Sequence, residues 1–216
     1  MKCKAVIFDM DGTLLDTLED IAGSVNRILM KRGFPTHDLN QYRAFIGEGP
    51  KILISRALPM EQRATGMVSS CLQAYLDDYR ENCTIHTTLY EGIPELLDEL
   101  VHRNIKIAIL TNKQNDLARL CADLFLSRWH FDRILGLRAD VPRKPHPAGA
   151  LEIADHLGVD PKNILFVGDS DTDMKTALAG GMFPVGVRWG FASQKVLKIG
   201  GAERLIAHPM DLTGLL

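Results

Sequence analysis

The sequence predicts a doubly wound, Rossmann-like α/β core with a parallel sheet, interrupted by an inserted α-helical domain. Three observations predict it. Short, continuously apolar runs recur between turn signals, the pattern of strands buried on both faces of a parallel sheet. Stretches with helical apolar spacing separate these runs, so strand alternates with helix as in βαβ units. One block, residues 16–80, breaks the alternation and shows helical spacing only.

The first strand is expected at residues 5–8 and is followed directly by acidic residues. In the helical block, Leu18, Ile21, Ala22, Val25, Ile28 and Leu29 share one face, and Gly33 closes the stretch. Asp38 with Gln41 three residues on has the spacing of a capping box, in which each side chain satisfies the other's backbone N–H. A third stripe carries Met67, Val68, Cys71, Leu72, Tyr75, Leu76 and Tyr79. Beyond the block, Leu96, Leu97, Leu100 and Val101 form a helical face, with Pro94 suited to its first turn. Strands at 105–110, 133–137, 164–167, 183–187 and 205–207 follow, separated by further helical faces. One carries Leu117, Leu120, Cys121 and Leu124; another carries Ala150, Leu151, Ile153, Ala154 and Leu157, ended by Gly158. The division predicted is an α/β core from residues 1–15 and 85–216, with a helical domain at 16–84.

Composition narrows the function classes. The chain has 216 residues, 46% hydrophobic and 24% charged, enough to bury a core without staples. A net charge of -2 supplies no basic field for nucleic acid or an anionic membrane. The longest run free of charge, residues 64–76, falls short of the ~20 apolar residues that span a bilayer. The apolar stretch before Asp9 is only four residues long, shorter than the ~7–15 of a signal peptide. Four cysteines without a CxxC pair read as reduced thiols of a cytoplasmic protein.

Chemistry concentrates where strands are expected to end. Asp9-Met10-Asp11-Gly12-Thr13-Leu14 follows the first strand, and Gly168-Asp169-Ser170-Asp171-Thr172-Asp173 follows residues 164–167. Ligands of open α/β sheets sit outside the carboxyl ends of the strands. A calcium loop is excluded for the second motif, because Met174 and Gly180 stand where glycine and a bidentate Glu are needed. No GxxxxGK occurs, and Gly47-Glu48-Gly49 lacks the third glycine of a dinucleotide fingerprint. Thr111-Asn112-Lys113 and Arg143-Lys144-Pro145-His146-Pro147 fall at two further strand ends. Asp9, Asp11 and Asp169 brought together repel unless a cation neutralises them. Oxygen donors alone suit Mg²⁺, which also binds substrate phosphate. With a hydroxyl (Thr111) and an ammonium (Lys144), the set suits a phosphate dianion. One aspartate can then attack phosphorus; the other can protonate the leaving oxygen and later activate water. Five aspartates (9, 11, 169, 171, 173) contribute to this local negative charge.

Asp9-x-Asp11-Gly12-Thr13, Thr111, Lys144 and Gly168-Asp169-x-x-x-Asp173 resemble the four motifs of the haloacid dehalogenase superfamily of phosphatases, in that family's order. The resemblance implies Asp9 as nucleophile and Asp11 as general acid/base. It implies Mg²⁺ held by Asp9, the backbone carbonyl of Asp11, and Asp169. Thr111, Asn112 and Lys144 would bind the phosphoryl group, Gly12 would support the first motif, and Asp173 would orient Lys144 or a metal-bound water. Asp11 through Thr17, the run Asp20-Ile21-Ala22, Phe45-Ile46-Gly47-Glu48-Gly49 and Thr111-Asn112-Lys113 look like the phosphoglycolate phosphatase branch. The implied activity is hydrolysis of a small phosphorylated metabolite such as 2-phosphoglycolate, by a monomer or homodimer. A β-phosphoglucomutase-like transferase, a pyrophosphatase and a non-enzymatic regulatory module on the same core stay open. Gly47, Glu48 and Gly49 read equally as a substrate-specificity loop or a helix–helix turn.

Overall fold

The computed structural model describes residues 2–216. Its centre is β1 (Ala5–Phe8), every residue of which is buried. Val6 and Phe8 enter one apolar cluster, Ala5 and Ile7 the other, so the strand is covered on both faces as its unbroken apolar run predicts. Around it lie β4 (Lys106–Gln114), β5 (Arg133–Leu137), β6 (Ile164–Gly168), β7 (Phe183–Val187) and β8 (Arg204–Ile206), in the order β5-β4-β1-β6-β7-β8. All neighbours in this sheet are parallel. Phe8 pairs with Ile109 on one side and Val167 on the other, which sets the ends of β1 and β6 level beside the middle of β4, at the point where strand order reverses.

Helices α5 (Ile93–His102), α6 (Asn115–Phe125), α7 (Ala148–Leu157), α8 (Asp171–Ala179) and α9 (Gln194–Gly200) cover the sheet. The helical insertion between β1 and β4 holds α1 (Leu18–Lys31), α2 (Leu39–Phe45), α3 (Pro50–Ala57) and α4 (Thr65–Asn82). Leu18, Ile21, Ala22, Val25, Ile28 and Leu29 of α1 are all buried, as their spacing predicts. The Asp38–Gln41 capping box forms in both directions, at 2.9 and 3.0 Å. Along α4, Val68, Cys71, Tyr75 and Tyr79 are buried. No helix among the described residues is long and apolar enough to cross a membrane.

Several features depart from the pattern read in the sequence. β4 runs four residues past the expected end, through Thr111-Asn112-Lys113-Gln114, whose polar side chains stop an apolar-run reading at Leu110. α3, α8 and α9 were not signalled by apolar spacing. Val101, Leu124 and Leu151 are exposed although they continue apolar stripes; Val101 and Leu151 each lie one step around the helix from a buried neighbour, Leu100 and Ala150. Two-residue strands β2 (Leu15–Asp16) and β3 (Thr88–Leu89) pair antiparallel where the chain leaves and rejoins the sheet domain.

One buried carboxylate fastens that return. Asp20 of α1 accepts the backbone N–H groups of His86 (3.0 Å) and Thr87 (2.8 Å) and the hydroxyl of Thr87 (2.7 Å). Charged, buried acceptors of this kind are costly to remove because their donors are left unpaired. Asp20→Ala is expected to lower unfolding free energy by about 3 kcal/mol, seen as a lower urea midpoint at unchanged slope. A loss below about 0.5 kcal/mol, typical of an ordinary surface change, would contradict this account.

Candidate active site

Asp9 stands on the first residue past β1, and Asp169 on the first past β6. Oδ1 of Asp9 accepts the Met10 N–H at 2.7 Å and lies 3.0 Å from Nζ of Lys144. The same ammonium lies 2.6 Å from Oδ1 of Asp173. Lys144 and Asp173 are 3% and 0% exposed, so this charge pair is shielded from water. Asp173 is held in turn by Ser170, the N-cap of α8, whose N–H and hydroxyl both donate to its Oδ2 (3.0 and 2.6 Å). Asn112 clamps the lysine backbone: its Oδ1 accepts the Lys144 N–H at 3.0 Å and its Nδ2 donates to the Lys144 carbonyl at 3.1 Å. Asp169 Oδ2 accepts the Phe191 N–H at 2.7 Å.

Carboxylate oxygens of Asp9, Asp169 and Asp173 lie within 4.8 Å of one another. Burial and the nearby Asp173 push the Asp9 carboxyl up from 3.8 to about 7, against the downward pull of Lys144. Asp169 is raised well above its ordinary value by burial, Asp173 and Asp9, in spite of the Phe191 N–H. Burial alone would lower the Lys144 ammonium, but Asp173 and Asp9 outweigh it and keep the proton on. One lysine thus faces three buried carboxylates. Oδ2 of Asp9 and Oδ1 of Asp169 have no hydrogen-bond donor among the described residues. The chemistry of this donor set, oxygen only and short of positive charge, fits a hard divalent cation. Gly12 makes room for it: with φ of +80°, a Cβ there would stand 2.3 Å from Oδ2 of Asp169.

The other predicted residues divide. Asp11 is outside the three-carboxylate cluster; its Oδ1 accepts from the Thr17 hydroxyl (2.9 Å) and from Lys113 Nζ (2.9 Å). Asp171 borders the cavity but pairs with Lys175 of its own helix at 2.5 Å and stands outside the three-carboxylate cluster. Thr111 is buried and borders the cavity, and its Oγ1 accepts the Lys113 N–H at 3.2 Å. The Asn112 amide is occupied by the Lys144 backbone and by the Gly47 carbonyl (3.0 Å), leaving its main chain as the group that can face a phosphoryl oxygen. Gly47, Glu48 and Gly49 join α2 to α3 and also border the cavity, so the turn and the cavity-wall readings describe one loop. The Glu48 carboxylate pairs with Arg56, and its main-chain carbonyl accepts from Arg143, which ties this loop to the core. Lys113, Arg143 and the Gly190-Phe191 turn were not singled out from the sequence. Lys113 was within sight, as part of the Thr-Asn-Lys run, but a lone lysine gives no sign of burial.

These groups line a cavity of about 440 Å³, floored by Asp9, Asp11, Thr111 and Asp169 and walled by Arg43, Leu53 and Arg56 of the insertion. A family model of haloacid dehalogenase-like hydrolases matches residues 6–187. The chain belongs to the haloacid dehalogenase-like hydrolase family. This hydrolase is 31% identical to a phosphoglycolate phosphatase of Chromobacterium violaceum, with 97% of the chain and 96% of the relative covered. It is 32% identical to an N-acetylmuramic acid 6-phosphate phosphatase of Pseudomonas putida, covering 98% and 95%. The crystal structure of a predicted phosphoglycolate phosphatase from Haemophilus somnus superposes with a TM-score of 0.92 at 27% identity, covering 100% and 98%. The hydrolase is accordingly a phosphatase, a phosphoric monoester hydrolase of this family.

The raised carboxyls make stability depend on pH. Folded Asp9 and Asp169 keep their protons above the pH at which the unfolded chain has lost them. The Asp9 contribution is therefore complete below the ordinary value of 3.8 and is lost as pH climbs through about 7, and that of Asp169 is lost in the same direction. A bound divalent cation favours the ionised forms and offsets the loss. The gap in Tm between cation and chelator is expected to widen as pH rises from about 5 to about 8. A gap that is independent of pH would contradict the cation reading of the cluster.

Proposed function

We propose that this phosphatase is a Mg²⁺-dependent phosphomonoesterase that forms an aspartyl-phosphate on Asp9, with 2-phosphoglycolate as its substrate. The buried Asp9–Asp169–Asp173 cluster around Lys144, open to a cavity at the sheet's switch point, carries the proposal. Asp9, Asp169 and the Asp11 carbonyl would hold Mg²⁺, which when bound supplies positive charge to the carboxylates and the phosphoryl oxygens. Thr111, the Asn112 main chain and Lys144 hold the phosphoryl group, and Asp173 aims Lys144. Asp9 attacks phosphorus as the ester P–O bond breaks, and Asp11 protonates the departing oxygen. A water then attacks the phosphoryl group, Asp11 takes its proton, and the Asp9–phosphorus bond breaks to release phosphate.

Residues 16–84 act as a cap on a core of 1–15 and 85–216, with the β2–β3 ribbon at the crossing between them. Covering the cavity excludes bulk water from the aspartyl-phosphate. In the cap wall, Glu48 neutralises Arg56, whereas Arg43 has no carboxylate partner among the described residues. An unpaired arginine opposite the phosphate end suits a substrate with a second anionic group, and 2-phosphoglycolate carries a carboxylate there. N-acetylmuramic acid 6-phosphate also carries one. The cavity volume favours it as the second reading, since 440 Å³ falls in the range that encloses ligands much larger than a two-carbon acid.

The test is kcat/KM with Mg²⁺ for these two compounds and for glycerol 2-phosphate, which lacks the carboxylate. The highest value is expected for 2-phosphoglycolate, and Asp9→Asn is expected to lower kcat at least about 10³-fold on all three. A preference for the amino sugar phosphate would move the substrate assignment. Near-normal turnover by Asp9→Asn would overturn the nucleophile.

A further inference from the structure

Lys113 is a lysine inside the protein whose charge the mechanism above leaves unused. Its side chain is 5% exposed, and it stands on β4 two residues past Thr111. Its Nζ is 2.9 Å from Oδ1 of Asp11 and 2.9 Å from the hydroxyl of Tyr79, and 4.3 Å from the centre of the Tyr79 ring. Tyr79 belongs to α4 of the helical insertion and is itself fully buried, stacked at a tilt on Tyr75 with ring centres 5.6 Å apart. Burying an ammonium is expensive, and replacing the whole Lys113–Asp11 pair by apolar side chains would cost the fold little, so stability alone does not account for the pair. Its place beside Asp11 calls for a role there.

The geometry of Asp11 supplies one. Lys113 and the Thr17 hydroxyl both donate to the same oxygen, Oδ1, at 2.9 Å each. Two donors converging on one oxygen fix the plane of the carboxyl group and leave Oδ2 as the oxygen free to serve the cavity that Asp11 borders. We infer that Lys113 is a positioning residue for the reaction: seated on Tyr79 of the insertion, it pins Oδ1 of Asp11 so that Oδ2 meets the leaving oxygen. The inference rests on the proposed role of Asp11 as general acid. It goes beyond that reading by making an insertion residue, Tyr79, part of the support for a core group.

Leaving groups distinguish this role from simple packing. An alkoxide needs a proton to depart, whereas 4-nitrophenolate leaves as the anion. Because kcat/KM reports steps up to leaving-group departure, misplacing the general acid affects the first ester and spares the second. With Mg²⁺ present, Lys113→Met is expected to lower kcat/KM for 2-phosphoglycolate about 100-fold and for 4-nitrophenyl phosphate less than about threefold. Lys113→Arg, which keeps the charge and a donor, is expected to recover part of the loss on the alkyl ester. Tyr79→Phe keeps the ring and deletes only the hydroxyl; it is expected to show the same selectivity at smaller amplitude, and it decides the matter if Lys113→Met does not fold. Equal losses on both esters would overturn the positioning role. Asp11→Asn is the reference: if it too loses both esters equally, the general-acid assignment falls and this inference with it. Selectivity in Asp11→Asn without selectivity in the Lys113 and Tyr79 variants overturns the inference alone.

Discussion

Everything in the site is arranged around one buried ammonium. Lys144 stands between Asp9 and Asp173, 3.0 and 2.6 Å from their oxygens, and all three are buried. Without it, three buried carboxylates within 4.8 Å would have no compensating charge. Its position is therefore over-determined. Asn112 grips its backbone in both directions, and the Ser170–Asp173 capping box fixes the carboxylate it answers to. The N-terminus of α8 favours negative charge at Asp173 for the same reason that it favours any anion. Lys144 offsets only part of the repulsion, and the remainder suits a further cation.

The sheet order delivers these groups to one place. β1 is flanked by β4 and β6, so the acids after β1 and β6 and the hydroxyl of Thr111 emerge side by side. Close approach then becomes a steric matter. Gly12 and Gly190 both face Asp169 so tightly that a Cβ on either would stand 2.3 Å from one of its atoms. The insertion completes the enclosure by reaching back to the core at separate points: Gly47 to Asn112, Glu48 to Arg143, and Tyr79 to Lys113. The wall and the floor of the cavity thus share supports, so under the proposed mechanism the fit of the organic part of a substrate would be coupled to the geometry of the chemistry.

Much of this was legible in the sequence because buried parallel strands are written as unbroken apolar runs. β1, β5 and β7 lie where such runs stand, and the acids that follow the runs at 5–8 and 164–167 stand at the ends of β1 and β6. Asp9, Asp11, Thr111, Lys144, Asp169 and Asp173 all come to the same end of the sheet. What escaped was structure specified by polar residues. α8 opens with Asp171-Thr172-Asp173, the motif itself, so no apolar stripe announces it. α3 is eight residues long, and the ribbon strands are two residues each, too short for periodicity to register. Tertiary partners were equally silent. Asp171 is an acid of the motif but pairs with Lys175, and nothing in the Thr-Asn-Lys run announces that Lys113 is buried against Tyr79.

The claim at the centre is that Asp9, made hard to ionise by its surroundings, becomes the group that accepts the phosphoryl moiety once a cation is present. Its most direct measurement is mass spectrometry of protein mixed with Mg²⁺ and 2-phosphoglycolate and quenched in acid within the first turnover. The account predicts one added phosphoryl group, removed by hydroxylamine as an acyl phosphate is, on the peptide that contains Asp9. Phosphate release with no labelled protein at any quench time, or the label on a peptide that lacks Asp9, would contradict it.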